Sequence, residues 1–282
     1  MKRFLCILLS LTMLLSCACA LADEIHVLSR EDGSGTRGAF IELFGIEQKN
    51  EAGEKIDYTT DDCDITNSTS VMMTSVAGND NAIGYISLGS LNDSVKALAI
   101  DGAEATVENI KADAYPIARP FNIATRSNIS EAARDFVAFI LSADGQAVVE
   151  ANGCIAVADG AEAFAGGKAQ GKVVIAGSSS VTPVMEKLKE AYEALNPGVT
   201  IELQQSDSTS GMNAVRDGVC DIGMASRELK DSELEAGLIP TVIAMDGIAV
   251  IVSNHNPVNG LSSQQVQRIY MGEITDWSEV NE

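Results

Sequence analysis

Apolar residues along this chain follow two rhythms that take turns. Short apolar runs ending in turn residues occur at 24–29 (EIHVLS), 82–88 (AIGYISL), 172–180 (KVVIAGSSS), 199–205 (VTIELQQ) and 220–226 (CDIGMAS). Each predicts a strand. The stretches 36–43, 181–195, 211–219 and 262–272 read as helices, the second stopping at Asn196-Pro197-Gly198. Residues 130–152 read as one helix. Ser130 is its N-cap, Ala133, Phe136, Val137 and Ile140 recur at helical spacing, and Gly153 ends it. The stretch 241–253 (TVIAMDGIAVIVS) reads as a long apolar pair of strands. Strand and helix alternate throughout, so the fold class is α/β. Residues 158–171 (ADGAEAFAGGKAQG) are nearly all Ala, Gly and polar residues without periodicity, the composition of a linker.

Composition narrows the class. The 282 residues are 46% hydrophobic and 21% charged, as in a globular protein with a substantial core. Lys2 and Arg3, an apolar run over 4–15 and then small residues make 1–22 a secretory signal peptide. The run is too short to span a bilayer. Two cleavage patterns stand open. Ala20-Leu21-Ala22 fits ordinary cleavage, whereas Leu14-Leu15-Ser16-Cys17 resembles a lipobox and would leave Cys17 lipid-modified, the one route to a membrane anchor.

The net charge of −21, about −23 once Lys2 and Arg3 are removed, argues against nucleic acid and anionic lipid as partners. Local donors in a buried site can still hold a small anion. Cys63, Cys154 and Cys220 lie far apart without metal-ligand spacing, and at most two of them can pair. His26 and His255 are isolated, so no metal site is expected.

Four turns concentrate small hydroxyl residues. The first, 30–37, sets Arg30 before Gly33-Ser34-Gly35-Thr36 at a strand-to-helix turn. Free amides at a helix start coordinate oxyanions, Arg30 can add a charge-assisted clamp, and Asp32 can hold that guanidinium. The second is Gly177-Ser178-Ser179-Ser180-Val181, the third runs over 206–211 and the fourth is Met224-Ala225-Ser226-Arg227. Each alone is also a good helix cap. Several serine-rich strand ends in one α/β chain are what an oxyanion site between two lobes requires.

These segments resemble one family. GSSSVTPVMEKLKEAYEALNP (177–197), DIGMASRELKDSE (221–233), the stretch 245–281 from MDGIAVIVSNH to ITDWSEVN, and SREDGSGTRGAF (29–40) look like the phosphate-binding proteins of phosphate ABC importers. AIGYISLGSL (82–91), YPIARP (115–120) and FILSADGQAVVEANG (139–153) extend the likeness to nearly the whole mature chain. The order differs from the family's, in which the Gly-Ser-Ser-Ser strand comes first and the ITDWSEVN segment leads into SREDGSGTR. A circular permutation, with 158–171 joining the old ends, accounts for this. A truncated tandem or a misjoined gene, with more sequence beyond Glu282, is the rival account.

The resemblance implies a two-lobed periplasmic-binding-protein fold of the Venus-flytrap type. One lobe would be 23–115, a hinge return and helix 116–157, and the rest of the second lobe 172–282, with a single covalent crossing near 115–119. It implies a phosphate dianion bound by Arg30, Ser34, Gly35 and Thr36 from one lobe. From the other lobe it implies Ser179, Ser180, the Val181 amide, Ser208 and Ser226. Asp32 would orient Arg30 from behind. No catalytic residue, cofactor or metal is implied. The partners it implies are inorganic phosphate and an ABC-transporter permease, and the protein would be an exported monomer at the extracellular face of the cell membrane or in the periplasm.

One position departs from many family members. Arg227 follows Ser226 where they carry an Asp that accepts the ligand proton, so Asp207 or Asp221 would have to serve instead. Alternatives are another oxyanion such as sulfate or molybdate, a phosphate sensor or scavenger without an importer, and a secreted serine hydrolase or phosphatase. The last lacks a histidine motif and a G-x-S-x-G elbow.

Overall fold

Residues 24–281 are described by the computed structural model; the leader and both cleavage patterns lie outside them. Among the described residues one hydrophobic core fills the first lobe, and a large and a small cluster fill the second. The first lobe opens with strand β1 (His26–Arg30), helix α1 (Gly35–Leu43), β2 (Asp64–Thr66), α2 (Thr69–Ala77) and β3 (Ala82–Ser87). Strand β4 (Ala118–Thr125) carries the chain into the second lobe. That lobe holds α3 (Glu131–Ile140), α4 (Ala143–Ala151), β5 (Gly171–Ser178), α5 (Thr182–Leu195), β6 (Val199–Ser206), α6 (Ser208–Arg216) and β7 (Ile222–Ala225). Strand β8 (Ile239–Val252) returns to the first lobe, which α7 (Ser263–Tyr270) completes.

Among the described residues these strands run in one sheet in the order β6–β5–β7–β4–β8–β3–β1–β2. Parallel pairing joins β1 to β2 and β3, and β5 to β6 and β7. The carboxyl ends of β1 and β2 therefore face those of β5, β6 and β7 across the gap between lobes, where α/β sheets bind ligands.

The lobe boundaries correct the expectation from sequence. The stretch 241–253 is part of one continuous strand, β8, with a bulge between Val242 and Ala244. Its first part pairs antiparallel with β4, and from Ile248 to Val252 it pairs with β3. Ile248 through Val252, Val266, Ile269, Tyr270 and Trp277 all lie in the first core. Residues beyond about 247 thus belong to the first lobe, and the chain crosses between lobes twice, along β4 and along β8. A strand of 14 residues is long enough to serve both cores.

Two further segments differ from their sequence reading. The helix expected over 130–152 breaks at Leu141, because Ser142 caps a second helix by accepting the Gly145 amide at 3.2 Å. The Ala/Gly segment is tied down rather than free. The Phe164 ring sits 5.3 Å from that of Phe139 and 6.0 Å from that of Tyr192, its amide donates to Asp144 at 2.7 Å, and Ala169 is buried. No helix of the described residues is long and apolar enough to cross a membrane.

Candidate functional site

Arg30 ends β1 with its side chain buried, only 1% of the residue being exposed. Its backbone amide donates to the Tyr85 hydroxyl at 3.2 Å, and Tyr85 also bonds Ser29 Oγ at 2.9 Å. Burial is the main reason the Tyr85 hydroxyl is pushed up to about 12, so it stays a neutral strut. Helix α1 begins five residues later. Ser34 caps it by accepting the Arg37 amide at 3.3 Å, which leaves the serine's own hydrogen to donate elsewhere. The first amides of α1, on Gly35 and Thr36, have no acceptor within the helix and carry the positive end of its dipole.

The second lobe meets this loop with hydroxyls. Thr36 Oγ1 shares a 2.8 Å hydrogen bond with Ser180 and a 3.4 Å bond with Ser226. Ser178 Oγ donates to Ser226 Oγ at 3.0 Å, and the buried Ser208 hydroxyl accepts the Ser226 amide at 3.2 Å. Arg30 Nη2 donates to Ser179 Oγ at 3.2 Å. Packing is so close that a Cβ on Gly35 would stand 2.5 Å from Ser208 Oγ and 2.9 Å from Ser226 Oγ. The starts of α1, α2, α5 and α6 converge on the cluster. The two lobes are in direct contact around it, and Thr209 donates from both its amide and its hydroxyl to the Gly33 carbonyl at 3.2 Å.

Most residues singled out in the sequence meet here: Arg30, Ser34, Gly35, Thr36, Ser179, Ser180, Ser208 and Ser226. Val181 adjoins them, but its amide is spent on the Ser178 carbonyl at 3.1 Å. Two members were not among the expected ligand residues. Thr69, first residue of α2, bonds Ser179 at 3.4 Å and Ser180 at 3.2 Å through its hydroxyl. Ser178 sits between Ser226 and the Ser180 amide. The signal for Thr69 was available in Asn67-Ser68-Thr69-Ser70, a hydroxyl-rich turn before an apolar run.

Charges around the cluster are arranged differently from expectation. Glu31, not Asp32, grips the Arg30 guanidinium, with both carboxylate oxygens accepting at 2.8 Å. Asp32 points outward and pairs with Arg37, which also donates to the Arg30 carbonyl at 2.8 Å and to Asp57. Burial would raise the Asp57 carboxyl, but Thr59 and Arg37 outweigh it and hold that group low. Arg227 is neutralised by a two-pronged bond to Glu233 at 2.8 Å. Burial pushes Glu233 up, and Arg227 with the Lys230 amide more than offsets it.

Asp207 caps α6, accepting the Ser210 amide at 2.8 Å beside Gly33. Asp221 lies well away, accepting the Val174 amide at 2.8 Å. His26 and His255 bond Asp64 and Asp80 rather than any serine of the cluster. One atom at the centre is left over: Arg30 Nη1 is buried with no hydrogen-bond partner. Leaving such a donor unmatched costs about 1–3 kcal/mol, so it marks a place for an acceptor.

Two lobes joined by two strands, with an arginine and converging helix starts between them, define the bilobal solute-binding class. The chain belongs to the PBP superfamily domain family, which it matches over residues 20–144 and 162–282. It is 58% identical over 258 residues to the phosphate-binding protein PstS 2 of Streptococcus agalactiae, covering 91% of this chain and 88% of that one. It is also similar to the crystal structure of a phosphate-binding protein of a phosphate ABC transporter from Streptococcus pneumoniae TIGR4. That likeness has a TM-score of 0.71 and 45% identity, and covers 91% of this chain and 99% of that one. The phosphate-binding protein PstS of Pseudomonas aeruginosa matches over only 107 residues, at 35% identity, covering 36% of this chain and 33% of that one.

Proposed function

We propose that this protein captures inorganic phosphate between its lobes and delivers it to the permease of an ABC importer. The observation that carries the reading is the unpartnered, buried Arg30 Nη1 inside a ring of hydroxyls drawn from both lobes. An oxyanion there would accept from Arg30, from Ser34 and Thr36, from the Gly35 and Thr36 amides, and from Ser179, Ser180, Ser208 and Ser226. Thr69 and Ser178 join this set on the geometry above. The names of the S. agalactiae and S. pneumoniae relatives supply phosphate as the anion, and the second names a phosphate ABC transporter. The chain's role is binding rather than catalysis.

A second oxyanion has one observation in its favour. The carboxylates nearest the site are already engaged: Glu31 by Arg30, Glu233 by Arg227, and Asp207 by the start of α6. A site rich in donors holds sulfate or molybdate by the same contacts. Isothermal titration of ligand-stripped protein with phosphate, sulfate and molybdate decides among them. Heat from phosphate alone supports the reading, and no heat from phosphate overturns it.

Export through the 1–22 leader, with Cys17 as the lipid anchor if the second cleavage pattern is used, would put the protein outside the membrane. The permuted order belongs to the same reading. The Ile25 amide donates to the Thr275 carbonyl at 2.8 Å, so the strand 24–29 lies beside the segment that would precede it in the family's order. Permutation is tolerated where the re-cut segments stay side by side at the surface. The short match to the P. aeruginosa protein is what two chains with differently ordered segments would produce.

A further inference from the structure

A second arginine is buried where the two connecting strands pass between the lobes. Arg119 on β4 is 3% exposed and stands opposite Asp246 on β8 in the strand register. Its tether is thin: Nη2 reaches Asp246 Oδ2 at 3.3 Å, while the other carboxylate oxygen accepts the Gly89 amide at 3.1 Å. The guanidinium carbon lies 5.6 Å from the centre of the Phe121 ring. Nε and Nη1 of Arg119 are buried with no partner, as is Arg30 Nη1. The turn Leu88–Ser90, which holds Asp246 through Gly89, packs on helix α5, whose start carries Ser179 and Ser180. Arg119 is near enough to Arg30 for the two charges to repel.

Arg30 is nearly neutralised by Glu31, so a dianion meeting Arg30 alone would find little net positive charge. We propose that Arg119 supplies the second positive charge of the anion site, its free N–H groups turning to the ligand directly or through one water, while Asp246 sets how much of that charge the ligand feels. This rests on the phosphate-site reading above. Its electrostatic side is consistent with the pair's titration: burial first, and then the Arg30 charge, depress Arg119 to about 10, against the pull of Asp246.

The sign of two substitutions tests the inference by phosphate titration. Arg119→Met should weaken phosphate binding at least tenfold, and Arg119→Lys should recover part of the loss. Asp246→Asn keeps an oxygen for the Gly89 amide, removes the competing negative charge and should tighten binding about threefold or more. A pair acting only as a strut predicts weakening from both changes, and that result overturns the inference. Should Asp246→Asn fail to fold, Arg119→Met and Arg119→Lys carry the test, and equal weakening by both overturns the inference because only the lysine keeps the charge. Arg30→Met separates the two readings. Binding abolished by Arg30→Met yet untouched by Arg119→Met leaves the site standing and removes Arg119 from it. Wild-type protein that binds no phosphate removes both.

Discussion

Arg30 and Ser179, 149 positions apart in the chain, meet across the cleft, with Nη2 donating to Oγ at 3.2 Å. The bond joins the end of β1 in one lobe to the end of β5 in the other, so closure and site assembly are the same event. Domain closure around a ligand acts through such contacts.

Arg30→Ala should abolish most phosphate binding. Charge-assisted hydrogen bonds contribute about 1.5–3 kcal/mol each, and losing two corresponds to a weakening of about 100-fold or more. Titration calorimetry on ligand-stripped protein measures it. Affinity within a few-fold of wild type would move the site elsewhere.

Glu31 and Asp32 should behave differently although they are neighbours. Glu31→Ala removes a counter-charge but also the two bonds that aim the Arg30 guanidinium, and because lost aim outweighs the charge gained it should weaken binding about tenfold. Asp32→Ala removes a solvated partner of Arg37, a kind of pair contributing about 0–1 kcal/mol, and should change affinity less than threefold. The reverse ranking in the same titration would restore Asp32 as the orienting carboxylate.

Gly35→Ala puts a methyl where Ser208 and Ser226 now stand within 3 Å. The lobes should then fail to close. Small-angle scattering with saturating phosphate should show no compaction, at a melting temperature near that of wild type. Full compaction of the variant would mean the serines give way easily.

The hinge pair should cost stability at neutral pH. Burial raises Asp246 to about 6, against Arg119, so the folded state holds this proton more tightly than the unfolded chain, where a carboxyl titrates near 4. Stability contributed by this group is greatest at low pH and is lost as pH rises from about 4 to about 6. Replacing a buried pair by apolar residues is often neutral or stabilising by about 1–4 kcal/mol. Arg119→Met/Asp246→Leu should therefore melt at or above wild type at pH 7, with the advantage shrinking from pH 6 to pH 4. Melts that show a growing advantage on acidification would contradict the sign.

Phe164→Ala should cost about 1–2 kcal/mol of stability, below the range for a fully buried ring because Phe164 is half-buried. Phosphate affinity should be unaffected, as the strap lies on the second core away from the cleft. Denaturant unfolding alongside titration checks both halves.

How much was legible in the sequence follows from what each feature depends on. Strands, helices and their ends depend on neighbours a few residues away. The apolar runs, the cap at Ser130 and the turn around Gly35 could therefore be read directly, and with them the likeness to phosphate-binding proteins. That Arg30 and the serine turns come together was also expected, because α/β sheets gather their loops at strand ends.

Pairing across the chain lay beyond that reach. Whether 241–253 is two strands or one strand serving both cores depends on β3 and β4 lying side by side, which no local pattern encodes. Asp32 and Glu31 both lie within reach of Arg30 in sequence. Arg37, brought back by one turn of α1, takes Asp32 and leaves Glu31 to the buried guanidinium. Thr69 enters the cluster only because β2 pairs with β1, and the Ala/Gly segment is held only because Phe164 finds Phe139 and Tyr192. The sequence by itself determined most of the elements and the chemistry of the loops; the tertiary structure alone decided which charges meet, because that is settled by distance in space.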